Sequence, residues 1–325
     1  MDKNSSHDSV MVSVIVLTYN HEKYISQALD SILMQKVDFQ YEILVGDDAS
    51  TDRTPQILRD YQRRYPKIIR LFLREENVGP TKNAYELFYE ARGKYLAACE
   101  GDDYWTSSKK LETQIKFLED HEDFIGCAHD CLIVDERGCA YAKQRLPWVS
   151  RKTVYTLKDF HGIMLPGQAA TLVRRNIYRE NRYDYSVFYK AHSFIGDRTT
   201  ALIYTAQGNF YHFPSCMSCY RRTRRESNLT NRIFSGYVNG VAEDLRYTEA
   251  LEEYAVKTLK VNVNFRSHKA DLFVSAMYYF LKDRNSDAVA IMKQLWRTER
   301  RKWVLILYIP VGVCKKIMYR CFFFY

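Results

Sequence analysis

No stretch of this chain approaches the roughly 20 apolar residues that a membrane-spanning helix needs. The best candidate, residues 303–313 (WVLILYIPVGV), falls well short. No apolar run precedes Val10, so no secretory leader is expected. Zinc-finger spacing and a base-reading helix are both missing, which argues against nucleic acid as a partner. The eight cysteines, at 99, 127, 131, 139, 216, 219, 314 and 321, do not form the dense framework of a small secreted domain. Cys216 and Cys219 make a C-x-x-C, but no second pair or nearby His pair completes a zinc site. The thiols therefore read as free, in a reducing compartment. No internal repeat is visible.

What is present is a folding chain. Its 325 residues allow one large core, or a core with a smaller appendage. Hydrophobic residues make up 46%, too many for a disordered protein. The net charge of +9 favours partners that carry phosphate, such as nucleotides or anionic lipid.

Periodicity then gives the order of elements. Residues 12–17 (VSVIVL) and 41–45 (YEILV) are β-branched, unbroken apolar runs of the kind buried on both faces of a parallel sheet. Residues 68–73 and 95–99 continue the series. Helical spacing fills the gaps at 22–34, 54–65 and 81–91. A β-α-β-α-β-α-β order over about 100 residues implies a doubly wound, mostly parallel α/β sheet with right-handed crossovers. A further helix is expected at 111–120, a turn at 136–138, a strand at 169–173, a helix at 197–205 and a strand at 208–213. Helices at 241–259, 268–282 and 287–297 follow a boundary near residue 230.

Ligands of such sheets bind beyond the carboxyl ends of the strands, and acid-rich loops stand there. The second strand runs into Asp47-Asp48-Ala49-Ser50-Thr51-Asp52, the fourth into Glu100-Gly101-Asp102-Asp103. Carboxylates crowded at a buried strand end suit a divalent cation such as Mg²⁺ or Mn²⁺, which takes oxygen ligands and accepts phosphate in its shell. Solvated acids and helix caps are the plain alternative.

The ordered set narrows the choice. Thr18-Tyr19-Asn20 ends the first strand, the Asp-Asp-x-Ser-Thr-Asp cluster ends the second, Asn77-x-Gly79 and Lys82-Asn83 follow, and Glu100-Gly101-Asp102-Asp103 ends the fourth. In this order the chain resembles family 2 of the inverting glycosyltransferases, over residues 12–118 and more faintly to 228. The run Cys99 to Trp105 looks like members that build bacterial surface polysaccharides. The resemblance implies a GT-A fold, Rossmann-like, over residues 1–230, with a nucleotide-sugar half (10–120) and an acceptor half (121–230). Residues 231–325 form a helical extension.

The resemblance also implies roles. Leu17, Thr18 and Tyr19 line the nucleotide base, and Asp48 contacts its edge. Lys82, where the family often has Arg, meets the donor phosphates. Asp102 matches the metal-binding acid of the family's DXD motif, with Gly101 beside it and Glu100 at the motif's first position, to which a ribose contact is assigned. Asp103, Trp105, Tyr220 and Arg221 are candidate contacts to diphosphate or acceptor. Tyr220-Arg221 resembles the family's Tyr-Arg-His, although Arg222 and Thr223 follow here. Arg221, Arg222, Arg224 and Arg225 could close over the diphosphate, or form a solvated basic face. Asp197, after Gly196 and before an apolar helix, resembles the segment that supplies the catalytic base; His192 is its rival.

The expected activity is metal-dependent, inverting transfer of a sugar, most naturally from a UDP-sugar, to a saccharide or lipid-linked acceptor in polysaccharide or lipopolysaccharide synthesis. The expected location is the cytoplasm or the cytoplasmic face of an inner membrane. Residues 303–325, apolar and aromatic with Lys315, Lys316 and Arg320, read either as an interfacial helix or as a helix packed on protein. Two rivals stay open: a nucleotidyltransferase, which would show a Gly-rich loop after the first strand, and an inert binding protein of the same fold.

Overall fold

In the computed structural model, residues 9–222 and 238–299 are described, with 302, 303, 305–307 and 310. The chain divides into two units, Met1–Asp159 with Met164–Arg224, and Phe160–Ile163 with Arg225–Tyr325. Arg224, Arg225, Asn228 and most of residues 303–325 lie outside the described residues.

In the first unit the apolar runs do become central strands. β1 (Val12–Thr18) pairs in parallel with β2 (Tyr41–Asp47) and β4 (Tyr95–Ala98), and β2 pairs in parallel with β3 (Ile69–Leu73). Ser13 and Ile15 are buried on one face of β1 and Val12, Val14 and Val16 are completely buried on the other, so both faces are covered. Each such side chain contributes about 1.5–3 kcal/mol. The crossovers carry α1 (Ile25–Leu33), α2 (Thr54–Arg64) and α3 (Pro80–Glu90). α1 begins at Ile25, three residues later than the periodicity indicates. The amide of Glu22 is held by the Asp52 carboxylate at 3.0 Å, so the chain turns before it coils.

The remainder is mixed. β5 (Tyr104–Trp105), α4 (Lys110–Asp120), β6 (Phe124–Val134), β7 (Val154–Tyr155), α5 (Leu157–Phe160), β8 (Val173–Arg175), α6 (Val187–Lys190), α7 (Asp197–Thr205) and β9 (Asn209–Arg221) follow in order. The sheet order is β3-β2-β1-β4-β8-β6-β9-β5, with β7 also on β9. β8 runs antiparallel to both β4 and β6, while β6 and β9 are parallel to each other. The strand expected at 169–173 is a 3₁₀ turn, Ala169–Thr171, and β8 starts only at Val173. Gln168 causes this: its side-chain oxygen accepts the Ala170 N–H at 2.7 Å, and its carbonyl accepts the Thr171 hydroxyl at 2.7 Å. β9 continues to Arg221, eight residues past the strand expected at 208–213.

The second unit has helices Val238–Lys257, Arg266–Asp283 and Ser286–Thr298, close to the three expected. They enclose a small core of Val241, Leu245, Leu272, Ala276, Ala288, Ile291 and Leu295. Asn285 caps the third, accepting the Asp287 and Ala288 amides. Among the described residues no helix is long and apolar enough to cross a membrane. The six described cysteines are free thiols.

Candidate active site

Register brings the polar strand ends together. Thr18 lies opposite Asp47, the Thr18 carbonyl accepts the Asp48 amide at 3.0 Å, and the Leu17 carbonyl accepts the Gly101 amide at 2.8 Å. Three loops from distant parts of the sequence thus share one ledge. Asn20, at φ 56°, stitches two of them: its side-chain oxygen accepts the Thr51 amide at 2.8 Å, and its own amide donates to Ser50 Oγ at 2.8 Å. Asp47 is buried and bound to the Ser50 hydroxyl. Burial raises its pKa despite that bond.

Gly101 is needed for want of space. A Cβ there would stand 2.7 Å from His21 Nδ1, 2.8 Å from Thr18 Oγ1 and 2.9 Å from Thr18 Cβ. The turn closes with the Asp103 amide on the Glu100 carbonyl at 2.9 Å. Glu100, Asp102 and Asp103 each offer an oxygen within 4.8 Å of the others. Burial, then the charges of Asp103, Asp102 and Asp197, push the Glu100 carboxyl well above its usual range. Burial and Asp102 do the same to Asp103. Hard oxygen donors that repel one another suit a divalent cation.

Arg221 holds this loop in place. It is buried; its Nε donates to the Asp102 carbonyl at 2.8 Å, Nη1 to the Asp135 and Glu136 carbonyls at 3.1 Å, and Nη2 to Gln27 Oε1 at 2.7 Å. Its amide donates to Asp103 Oδ1 at 2.8 Å, and Gln168 donates to Asp103 Oδ2 at 2.9 Å. The guanidinium therefore binds three backbone carbonyls and the Gln27 side chain, and Asp103 has both oxygens engaged. Trp105 is buried in the core with the Lys110 ammonium 4.3 Å from its ring centre. Burial lowers the pKa of that lysine to about 7. Tyr220 is half-buried on β9.

Asp197 is the first residue of α7. It reaches this ledge from the far half of the unit, near enough to Glu100 for the two charges to interact. The residue is open to solvent, yet protein atoms crowd around its carboxyl. That crowding raises the pKa, and the Arg174 guanidinium opposes the rise. His192 is differently placed: its Nδ1 accepts the Phe194 and Ile195 amides at 3.0 Å each. Tyr19 is 46% exposed, and Lys82 is exposed on the first turn of α3, with no ion pair to the described residues. Asp48 is buried, its Oδ1 accepting the Val78 amide at 2.8 Å and its Oδ2 the Gly79 amide at 3.0 Å.

A family model described as glycosyl transferase family 2 matches residues 13–182, just over half of the chain. The chain belongs to glycosyltransferase family 2. An uncharacterised protein of Mycobacterium tuberculosis, Rv1520, is 43% identical over 127 residues, which cover 39% of this chain and 37% of that one. The putative glycosyltransferase EpsE of Bacillus subtilis is 33% identical over 132 residues, covering 41% of this chain and 47% of EpsE. These matches span less than half the length of the curated relatives. In fold, the chain is similar to residues 1–349 of Staphylococcus aureus TarS, solved in complex with UDP-GlcNAc, at a TM-score of 0.54 and 18% identity over 90% of this chain and 92% of that one.

The family match covers the strand-end loops and stops before Asp197 and Arg221. Those two are joined to the ledge by the structure alone. Gln168 and Thr81, which also shape it, carry no motif that sequence reading could single out. The crowded acids make a stability prediction. Glu100 titrates higher in the folded state than unfolded, so the fold binds more protons there, and its contribution to stability falls as pH rises through that window. Metal-free Glu100→Gln protein should therefore melt above wild type at neutral pH, with the gap shrinking toward pH 4. A variant that melts below wild type at neutral pH contradicts this account of the loop.

Proposed function

We propose that this chain is an inverting glycosyltransferase that moves a sugar from a nucleotide diphosphate donor to a hydroxyl of a saccharide or lipid-linked acceptor. The observation that carries the reading is the Glu100-Asp102-Asp103 cluster at the end of β4, with Asp197, nearly 100 residues on, close enough for its charge to act on Glu100. A lone acidic loop would be equally at home in a binding protein. A further carboxylate within electrostatic reach of it is what an acid–base reaction requires. A nucleotidyltransferase reading lacks the Gly-rich loop after β1, where this chain has Thr18-Tyr19-Asn20-His21.

Each group then has a task. Leu17, Thr18 and Tyr19 form the seat of the base, framed by Asp48 through the Val78–Gly79 backbone. Glu100 meets the ribose and Lys82 the phosphates. Asp102, with Glu100 and Asp103 beside it, would hold a divalent cation, Mg²⁺ or Mn²⁺. Once bound, such a cation neutralises the diphosphate and stabilises it as a leaving group. Asp197 takes the proton of the acceptor hydroxyl as that oxygen bonds to the anomeric carbon. The bond from that carbon to the phosphate oxygen breaks in the same displacement, and the nucleoside diphosphate leaves. UDP as the nucleotide is supported by the TarS structure, which holds UDP-GlcNAc. Polysaccharide or lipopolysaccharide synthesis as the setting is supported by relatives such as the putative teichuronic acid biosynthesis glycosyltransferase TuaG of Bacillus subtilis.

Asp197→Asn should abolish sugar transfer by the purified protein while nucleotide affinity stays near wild type. Retained turnover, or loss of nucleotide binding, would remove Asp197 from the role of base.

We also propose that the C-terminal tail lies on a membrane surface, at the cytoplasmic face of an inner membrane. Trp303, Ile306 and Leu307 are 56%, 53% and 63% exposed, and Lys302 lies over the Trp296 ring at 5.7 Å. Apolar and aromatic groups beside lysine suit the headgroup boundary. Removal of residues 303–325 should shift the protein from membrane to soluble fractions; an unchanged distribution rejects the anchor.

A further inference from the structure

The loop that delivers Asp197 needs its own anchor. Residues 192–196 precede α7, and the helix starts only at Asp197. On one side the loop is closed by His192, whose Nδ1 accepts the Phe194 and Ile195 amides. At its end, Gly196 is pressed on Phe188, where a Cβ would come within 2.5 Å of the ring. What ties the loop to the nucleotide half is Thr81, in the first turn of α3. Thr81 is 2% exposed. Its hydroxyl lies 2.9 Å from the His192 carbonyl and 2.8 Å from the Ser193 carbonyl, so its single proton serves one or is shared between them.

Two residues earlier, the same backbone is gripped from the other side. Asp48 accepts the Val78 and Gly79 amides, and Asn77 Nδ2 donates to the Asp48 carbonyl at 3.1 Å. Gly79 sits at φ 86°, and a Cβ there would stand 3.0 Å from the Ser193 carbonyl oxygen. Only glycine gives both the backbone angle and the close approach. One short segment, residues 77–81, is thus held by Asp48 on one flank and holds the Asp197 loop on the other.

We propose that Thr81 is a positioning residue for sugar transfer, its hydroxyl fixing the Asp197 loop to the segment that Asp48 holds, so that the seat of the donor and the general base keep one spacing. The inference rests on the assignment of Asp197 as base. Thr81 touches neither donor nor acceptor in this scheme and acts through Asp197. Removing its hydroxyl takes away the one side-chain donor these two carbonyls share, and leaves only the Thr81 amide, 3.5 Å from the Ser193 carbonyl, across this contact. The loop then loses its register, and a displacement of about 1 Å can cost on the order of a hundredfold in rate. Donor affinity is untouched, because Asp48 keeps its own amide partners.

The test compares kcat, donor KM and calorimetric nucleotide affinity for wild type, Thr81→Val, Thr81→Ser and Asp197→Asn. Valine keeps the branched shape and removes the hydroxyl; serine keeps the hydroxyl. Thr81→Val should lower kcat by about tenfold to a hundredfold with nucleotide affinity within about twofold of wild type. Thr81→Ser should restore most of the rate. A second pair, Thr81→Ala against Thr81→Ser, repeats the contrast if Thr81→Val fails to fold, since alanine removes the hydroxyl without placing a second methyl group against the carbonyls. Wild-type kcat in Thr81→Val, a Thr81→Ser as slow as the valine variant, or a parallel loss of nucleotide affinity overturns the inference while an inert Asp197→Asn leaves the base assignment standing. An active Asp197→Asn overturns the assignment, and the inference with it.

Discussion

Three carboxylates held together at the end of β4 are the constraint around which the first unit is arranged. Left alone, Glu100, Asp102 and Asp103 would repel one another and swing into water. The fold prevents this with polar and cationic groups bound mainly to the backbone. Arg221 pins the Asp102 carbonyl, its amide and the Gln168 side chain engage Asp103, and the Leu17 carbonyl holds Gly101. The Arg221 guanidinium braces the loop by donating to the carbonyls of Asp102, Asp135 and Glu136, and its charge offsets part of the rise that burial and Asp102 impose on Asp103. The oxygens stay close, and a divalent cation would take the place of the protons that burial favours on Glu100 and Asp103.

The mixed half of the sheet serves that arrangement. An all-parallel sheet would have carried β9 and α7 away on further crossovers. Instead β8 turns antiparallel against β4, which lets β6 and β9 extend the same sheet. Arg221, at the last position of β9, thereby reaches back to the β4 loop, and α7 presents Asp197 to Glu100. The two halves named by sequence as donor and acceptor portions are bonded through side chains that span more than 100 positions, as Thr81 does to His192.

Legibility followed the range of the interactions. β1 to β4 were readable almost to the residue, because strands buried on both faces leave unbroken apolar runs such as VSVIVL. The long strand β6 was not, and β9 was readable only at its start, over 209–213. They carry His129, Asp130, Cys131, His212 and Cys216, and their register shifts between His129 and Cys131, so no simple alternation marks them. The turn at Ala169–Thr171 was misread as strand because its apolar composition conceals the capping by Gln168. In the site, the strand-end acids were visible as motifs. Arg221 was legible as a basic residue but not as a ligand of backbone carbonyls, and Trp105, which the family resemblance offers to diphosphate or acceptor, is buried in the core beside Lys110. Asp48 is similar: its position was readable, its two amide partners on the Val78–Gly79 turn were not.

The central claim is that the turn at Glu100-Gly101-Asp102-Asp103 binds a nucleotide diphosphate together with a divalent cation. Calorimetric titration with UDP, GDP and dTDP, each in Mn²⁺ and in EDTA, tests it directly when wild type and Asp102→Asn are compared. The account predicts that one nucleotide binds wild type in Mn²⁺, and that EDTA or Asp102→Asn removes the binding. Equal affinity in EDTA, or no binding of any nucleotide by well-folded wild type, would contradict it.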